Sequence, residues 1–145
     1  MKKFFMALIC GALLLSSSFA LATVDDSKIA LGRIFPGMNE TELINAFGQP
    51  NSKDGNDWTY PTFKIEIRRG IIEKISTRSE TITTPNGVRV GLAAEILNST
   101  FLTADNVEYE NDGVDYKYYN TDRTKKIEFK VSDGIITKIT CELVD

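Results

Sequence analysis

Apolar and polar residues alternate most regularly in two segments of the chain, residues 63–68 (FKIEIR) and 127–131 (IEFKV). A period of two predicts β-strands that bury one face and leave the other face polar. Each segment is followed by a glycine turn and a second apolar run, so we predict two antiparallel hairpins. Their turns lie at Arg69-Gly70 and Asp133-Gly134.

A capped helix is predicted ahead of the first hairpin. Asn39 is a favourable N-cap, and Glu42 lies where a capping box needs its acidic residue. The apolar residues that follow share one helical face, and Gly48 and Pro50 end the element. We therefore predict a helix over residues 39–47, followed by strands over residues 57–60, 62–68 and 71–77.

The second half of the chain repeats the first. Residues 70–75 (GIIEKI) recur as residues 134–139 (GIITKI), and the alternating segments before them match in register. The repeat predicts a second helix over residues 93–101 and strands over residues 115–120, 125–131 and 135–143. The predicted fold class is α+β, with two tandem α-β-β-β units that carry their helices on one face of the sheet. The sequence leaves open whether the two sheets join into one.

The last strand of the first unit has an irregular pattern. Ile71, Ile72 and Ile75 cannot all point to the same side of a regular strand. We therefore expect a β-bulge, or a second face that is partly covered, in the last strand of each unit.

The N-terminus has the pattern of a secretory signal peptide. Lys2 and Lys3 precede an uncharged apolar run, and Ala20-Leu21-Ala22 has the small-x-small form of a cleavage site. The run of about a dozen residues is shorter than the roughly 20 that span a bilayer. We therefore predict a signal peptide over residues 1–22, followed by two units over residues 23–80 and 81–145. The protein is expected to be exported, to the periplasm or the extracellular space, without a stable membrane anchor.

Charge and cysteine content narrow the picture of the exported chain. The 17 Lys and Arg include Lys2 and Lys3, which leaves 15 against 20 Asp and Glu, a net charge of −5 after cleavage. An acidic chain argues against a nucleic-acid partner. Cys141 alone survives cleavage, so no intramolecular disulfide can form, and its alternation with Ile139 predicts a buried thiol.

The motif around the first predicted helix resembles a known family. Residues 36–43 (PGMNETEL), running to residues 47–50 (FGQP), are similar to the glycine-methionine turn, capped helix and proline stop of the SmpA/OmlA, or BamE-like, envelope proteins. Trp58-x-Tyr60 and the hairpin after it also fit that family. Two such units in tandem are similar to the β-lactamase inhibitory protein. The resemblance implies a non-enzymatic fold that binds proteins or envelope components.

The sequence offers little that could perform catalysis or bind a cofactor. It has no histidine, the most common general base and metal ligand. The carboxylates of residues 105–115 could hold calcium, but the spacing does not fit an EF-hand, and we expect a solvated loop there. We therefore expect no enzyme activity, no cofactor and no metal. The aromatic residues that recur in both units are either binding anchors or, as we favour, core residues: Trp58, Tyr60, Tyr116 and Tyr118.

The polar face of the predicted sheet is the candidate binding surface. The hypothesis is an exported, non-enzymatic protein-binding module of the bacterial cell envelope or secretome, with envelope assembly and enzyme inhibition as candidate roles. A face that serves only solubility is an equal alternative. A small-ligand or lipid-binding protein, using apolar surface between helices and sheet, is the rival function. The candidate binding residues are Lys64, Glu66, Arg68, Glu128 and Lys130.

Overall fold

The computed structural model describes residues 23–145, and the predicted signal peptide lies outside the described residues. After a short 3-10 helix (Asp26–Lys28) come the elements α1 (Glu40–Phe47), β1 (Ser52–Asp54), β2 (Asp57–Thr59), β3 (Lys64–Arg68), β4 (Ile71–Thr77), α2 (Ile96–Thr100), β5 (Asn106–Glu110), β6 (Gly113–Tyr119), β7 (Lys125–Ser132) and β8 (Ile135–Leu143). None of the helices in this part of the chain is long and apolar enough to cross a membrane.

The strands form one antiparallel sheet of eight strands in the order β1-β2-β3-β4-β8-β7-β6-β5. The predicted fold class, an α+β protein of two tandem helix-plus-sheet units, is therefore wrong. Strand β4 pairs with β8 over four residue pairs, from Lys74 opposite Glu142 to Thr77 opposite Ile139, so the sheet runs on without a break. With helices of only 8 and 5 residues, the described chain is mostly β.

Equivalent backbone hydrogen bonds nevertheless occur in both halves of the sheet. The amide of Gly37 donates to Ile72 O at 2.8 Å, and the amide of Gly91 donates to Ile136 O at the same distance. Both glycines have positive φ, of 97° and 91°, a conformation that residues with a Cβ rarely adopt. A unit boundary between residues 80 and 81 stays a prediction.

The first helix forms as its sequence predicts. The Asn39 side chain accepts a hydrogen bond from the Glu42 amide at 2.9 Å, and the Glu42 carboxylate accepts one from the Asn39 amide at 3.2 Å. This reciprocal capping box satisfies two donors that a helix start leaves free. Helix α2 is shorter than the predicted residues 93–101: Ala93 forms a β-bridge with Ile135 of β8, and the N-cap residue Glu95 makes no side-chain capping bond.

Both predicted hairpins and the predicted bulges are confirmed. Strands β3 and β4 shift register between Glu66 and Ile67, so Glu73 on β4 has no partner. Strands β7 and β8 shift in the same way between Lys130 and Val131, which leaves Thr137 unpaired. The bulges let the isoleucines on either side of them turn toward the core: Ile72 and Ile75 on β4, and Ile136 and Ile139 on β8.

Two strands were missed because their segments look polar. Strand β1 lies between the first predicted helix and the first predicted strand, where no strand was expected, and the Lys53 ammonium lies 3.6 Å from the centre of the Trp58 ring. Strand β5 lies in the acidic segment, residues 105–115. The prediction of a solvated loop for that segment is therefore wrong. Five residue pairs join β5 to β6, from Asn106 opposite Lys117 to Glu110 opposite Gly113.

The core lies on one side of the sheet and is built from rows that cross the strands. One row joins directly paired residues from β2 to β6, and each of its side chains is at most 6% exposed: Trp58, Ile65, Ile75, Cys141, Ile127 and Tyr118. Leu43 of α1 and Leu97 of α2 are buried in the same cluster. The predicted burial of Cys141 is confirmed, and that burial raises the pKa of its thiol.

Ile75 tests whether the two halves fold as one cooperative unit. It is fully buried at the centre of the core row, so we expect Ile75→Ala to lower the free energy of unfolding by about 2–5 kcal/mol. Because the sheet is continuous, Trp58 fluorescence and far-UV circular dichroism should report the same transition. The neighbouring Ile71→Ala, at a position 36% exposed, should cost far less. Two separate transitions would contradict a single cooperative sheet.

Candidate functional site on the outer face of the sheet

The side of the sheet opposite the core, here called the outer face, carries all five predicted binding residues. Strands β3 and β7 alternate buried core residues with polar residues that point to this outer face, as the sequence predicts. The five predicted residues are Lys64, Glu66, Arg68, Glu128 and Lys130. The helices bury their leucines on the other side, so the outer face is formed mainly by strand side chains.

A first chain of ion pairs crosses the centre of the outer face. Lys74 lies 3.9 Å from Glu66 and 3.1 Å from Glu142, and Lys126 lies 2.6 Å from the other oxygen of Glu142. Burial alone would raise the pKa of Glu142, but hydrogen bonds from Lys126 and Lys74 hold that pKa below its usual value. These pairs link β3, β4, β8 and β7.

A second group of ion pairs lies on β5, β6 and β7. The Lys117 ammonium lies 2.7 Å from Glu108 and 3.8 Å from Glu128. Hydrogen bonding to Lys117 lowers the pKa of Glu108. Burial raises the pKa of Glu128, with the Lys117 charge acting in the opposite direction. The Lys117 ammonium therefore lies near two carboxylates whose pKa values shift in opposite directions.

Carboxylates at the tip of the β5–β6 hairpin hold Lys130. Its ammonium lies 3.2 Å from Glu110 and 3.0 Å from Asp112. This contact lowers the pKa of Asp112, chiefly through the hydrogen bond from Lys130. The acidic segment is thus a strand and turn in which Glu108, Glu110 and Asp112 pair with lysines of the sheet.

The five predicted residues share a face but do not form one cluster. Glu66 and Arg68 touch each other at 3.1 Å, and Arg68 also reaches Glu73 at 3.3 Å. Glu128 and Lys130 are neighbours on β7, but they belong to different ion pairs. Lys64 makes no ion pair with any residue of the described part. The outer face therefore holds several separate charge groups.

Sequence reasoning missed the buried carboxylate of Asp115. Asp115 lies opposite Glu108 and Lys130 in the sheet, is only 6% exposed, and its Oδ1 has no hydrogen-bond partner among residues 23–145. Burial raises the pKa of this carboxyl, and the charge of Glu110 adds to the effect. In the sequence, Asp115 is one more polar residue in an alternating strand. Lys130 lies opposite Asp115 but pairs with Glu110 and Asp112 instead, and no local sequence pattern indicates this choice.

Three open grooves lie on the outer face. Their volumes are about 610, 400 and 290 Å³. The largest one, here called the basic groove, lies where β3, β4 and β8 meet, and its charged residues are Lys64, Arg78 and Lys138. The smallest is lined by the paired charges around Glu142 and by the C-terminal residues 143–145.

The recurring aromatic residues serve the core. Trp58, Tyr60 and Tyr118 are at most 6% exposed, and Tyr116 is partly buried against the same cluster. Burial raises the pKa of Tyr118 to about 12. Among residues 23–145, the exposed aromatic residues are Tyr109 on β5, 83% exposed, and Phe35, 42% exposed. The alternation of Tyr109 with Glu108 and Glu110 was visible in the sequence, but the surrounding acidic residues favoured a loop.

Comparison with known proteins gives relatives in fold alone. No family model matches the sequence, and no curated protein matches it. A DUF4309 family protein (YjgB) from Bacillus subtilis is 15% identical, with a TM-score of 0.55 over 85% of this chain and 88% of that one. An extracellular protein containing an SCP domain, from Bacillus anthracis, is 7% identical, with a TM-score of 0.56 over 74% of this chain and 44% of that one.

At 15% and 7% identity, these similarities concern the fold alone. The match spans less than half of the Bacillus anthracis protein, so it does not extend to that protein as a whole. Neither structure is named as an SmpA/OmlA protein, and the resemblance to that family stays a prediction. The second similar structure is described as that of an extracellular protein.

Asp115 gives a test of the electrostatics of the outer face. Asp115→Asn removes a buried charge with an unpartnered oxygen, so we expect the free energy of unfolding at neutral pH to rise by about 1 kcal/mol. In the native protein the raised pKa makes ionisation of Asp115 costly in the folded state, so its contribution becomes less favourable as pH rises above 3.8. The gain from Asp115→Asn should therefore grow over that range.

Chemical denaturation at several pH values measures this gain. The exposed Asp54 on edge strand β1 supplies the matched control, since Asp54→Asn removes one carboxylate at a solvated position. An Asp115→Asn variant that is less stable than the native protein at neutral pH would show that Asp115 has a stabilising partner.

Proposed function

We propose that this chain is an exported, non-enzymatic protein that binds another protein through the outer face of its sheet. The observation that carries the proposal is the outer face itself, a polar surface across the strands whose charged side chains are held by cross-strand ion pairs and which contains three open grooves. Charged groups in fixed positions favour recognition of one complementary partner over others.

The export part of the proposal has two supports. The N-terminal pattern of Lys2, Lys3, an apolar run and a small-x-small site predicts secretion. One protein of similar fold is described as extracellular. The periplasm and the extracellular space both agree with this reasoning, as do roles in envelope assembly and in enzyme inhibition.

The non-enzymatic part rests on the side chains that the chain contains. The sequence has no histidine, so proton transfer near neutral pH would depend on carboxylates and amines. Cys141 is fully buried, and its raised pKa disfavours the reactive thiolate. Most of the outer-face carboxylates are bound to lysines.

A small-ligand protein is the second candidate, and one groove favours it. This groove of about 390 Å³ lies between the segment around α2 and strands β6 and β7, with apolar lining from Leu97, Val114 and Val131. Native mass spectrometry of the purified protein tests it. A bound molecule that is lost when the partly buried Val114 is replaced by Gln, in a variant that stays folded, would favour the ligand carrier.

Site-specific photo-crosslinking in the organism that makes the protein tests the proposed function. A photoreactive phenylalanine analogue is introduced on the outer face at Ser76, Glu128 or Lys138, and on the opposite side at Glu40 or Glu95. We expect a discrete cross-linked product from the outer-face positions. We expect none from Glu40 and Glu95, which lie at the starts of the two helices.

Charge-reversal variants supply the second arm of this test. Replacing Lys64, Arg68 and Lys130 together by Glu should abolish the cross-link, because these cations lie on the proposed binding surface. Lys28, which lies in the short N-terminal 3-10 helix, is the control position. Cross-links that arise equally from Glu40, or that survive the triple reversal, would contradict binding through the outer face.

A further inference from the structure

We propose that the basic groove receives an extended acidic peptide segment of the protein partner, an inference that rests on the proposed function. The groove has a volume of about 610 Å³, and all of its charged lining residues are cations, Lys64, Arg78 and Lys138. Hydroxyl groups of Thr62, Ser76 and Ser79 line it as well, while the chain as a whole is acidic.

The groove cations differ from the other cations of the outer face in having no carboxylate partner. None of the three makes a salt bridge within residues 23–145. The other five cations of this face each contact at least one carboxylate within 4 Å: Arg68, Lys74, Lys117, Lys126 and Lys130. Arg78 makes no salt bridge to Asp112, and its charge lowers the pKa of that carboxyl less than the charge of Lys130 does.

The sheet register places like charges together at this groove. Lys138 lies directly opposite Lys130, and a pair of like charges in that position is destabilising. Lys130 is drawn to Glu110 and Asp112 at the hairpin tip, which leaves Lys138 without a counter-charge. Thr77 pairs with Ile139, so Arg78 follows at the level of Lys138. A carboxylate bound in the groove would offset the adjacent like charges of Arg78 and Lys138.

The positions of the cations favour an extended ligand over a single ion. In the sheet register, Lys64 of β3 lies opposite Ser76 of β4, and Ser76 lies opposite Thr140 of β8. Lys138 is two residues before Thr140 on β8. Strand spacing then separates the Cα atoms of Lys64 and Lys138 by about 12 Å. Phosphate sites in proteins typically gather several donors around one point, as at a nest of backbone amides. An extended peptide instead projects alternate side chains on one side about 7 Å apart, and two acidic residues of such a strand can reach separate cations.

Binding of a fluorescent octaglutamate peptide tests the inference directly. The full chain is expressed with its own N-terminus, the form that accumulates is purified, and fluorescence anisotropy is measured in low and physiological salt. We expect binding that weakens with salt. Each of Lys64→Gln, Arg78→Gln and Lys138→Gln should weaken binding about two- to fivefold, and the triple variant more than about tenfold.

Three controls make the result specific. Lys28→Gln removes the same charge from a cation that lies outside the groove and makes no salt bridge in residues 23–145, so it should change the affinity less than about twofold. An octaglutamine peptide tests whether charge is needed, and a polyphosphate of equal charge tests for a phosphate ligand. Thermal unfolding checks that each variant is folded, and Lys64 and Arg78 are both exposed in the native protein.

The outcomes separate this inference from the proposed function. Three results would overturn the acidic-peptide assignment. Octaglutamate does not bind, or octaglutamine binds equally well. Alternatively, polyphosphate binds more tightly than octaglutamate and depends on the same three cations. If outer-face cross-links persist in any of those cases, the proposed function stands without it. If octaglutamate binds but no outer-face cross-link forms, the protein partner is contradicted while the chemistry of the groove is retained.

Discussion

Pairing between β4 and β8 is the interaction on which the rest of this structure depends. These strands come from opposite halves of the chain, and each already has one hairpin neighbour. Their pairing makes both of them central strands and leaves only β1 and β5 at the edges of the sheet. It places Ile75 opposite Cys141 in the core and Lys74 opposite Glu142 on the outer face. The joined core and the central ion pairs therefore have the same origin.

A continuous sheet also determines how the charges of the outer face behave. Backbone hydrogen bonds hold each strand at a fixed spacing, so a lysine meets the carboxylate of the next strand with little further loss of freedom. Glu142 bound by two lysines and Lys130 bound by two carboxylates are examples. Exposed ion pairs add little stability on average. Their clearer consequence is a surface whose pattern of charge is set before any partner arrives.

Features that depend on neighbouring residues could be predicted from the sequence. Alternation in β3 and β7 gave the correct buried and polar faces because a strand has a fixed period of two. The capping box at Asn39 and the hairpin turn at Asp133-Gly134 depend on a few adjacent residues, and both formed as predicted. Pairing between β4 and β8 joins residues more than sixty positions apart, and no local pattern encodes it. Strand β5 was missed because both its apolar residues stay exposed.

The candidate site divides in the same way. Alternation places Lys64 and Lys130 on one face, but the partner of each depends on the cross-strand register. The register gives Lys130 two carboxylates from the β5–β6 hairpin, leaves Asp115 buried without a partner for one oxygen, and sets Lys138 opposite another lysine. Most charges of the outer face are neutralised by ion pairs between neighbouring strands. An uncompensated charge is left only where a charged side chain has no such ion pair. Since none of the described residues that line the basic groove is a carboxylate, a ligand that supplies one gains electrostatic attraction there.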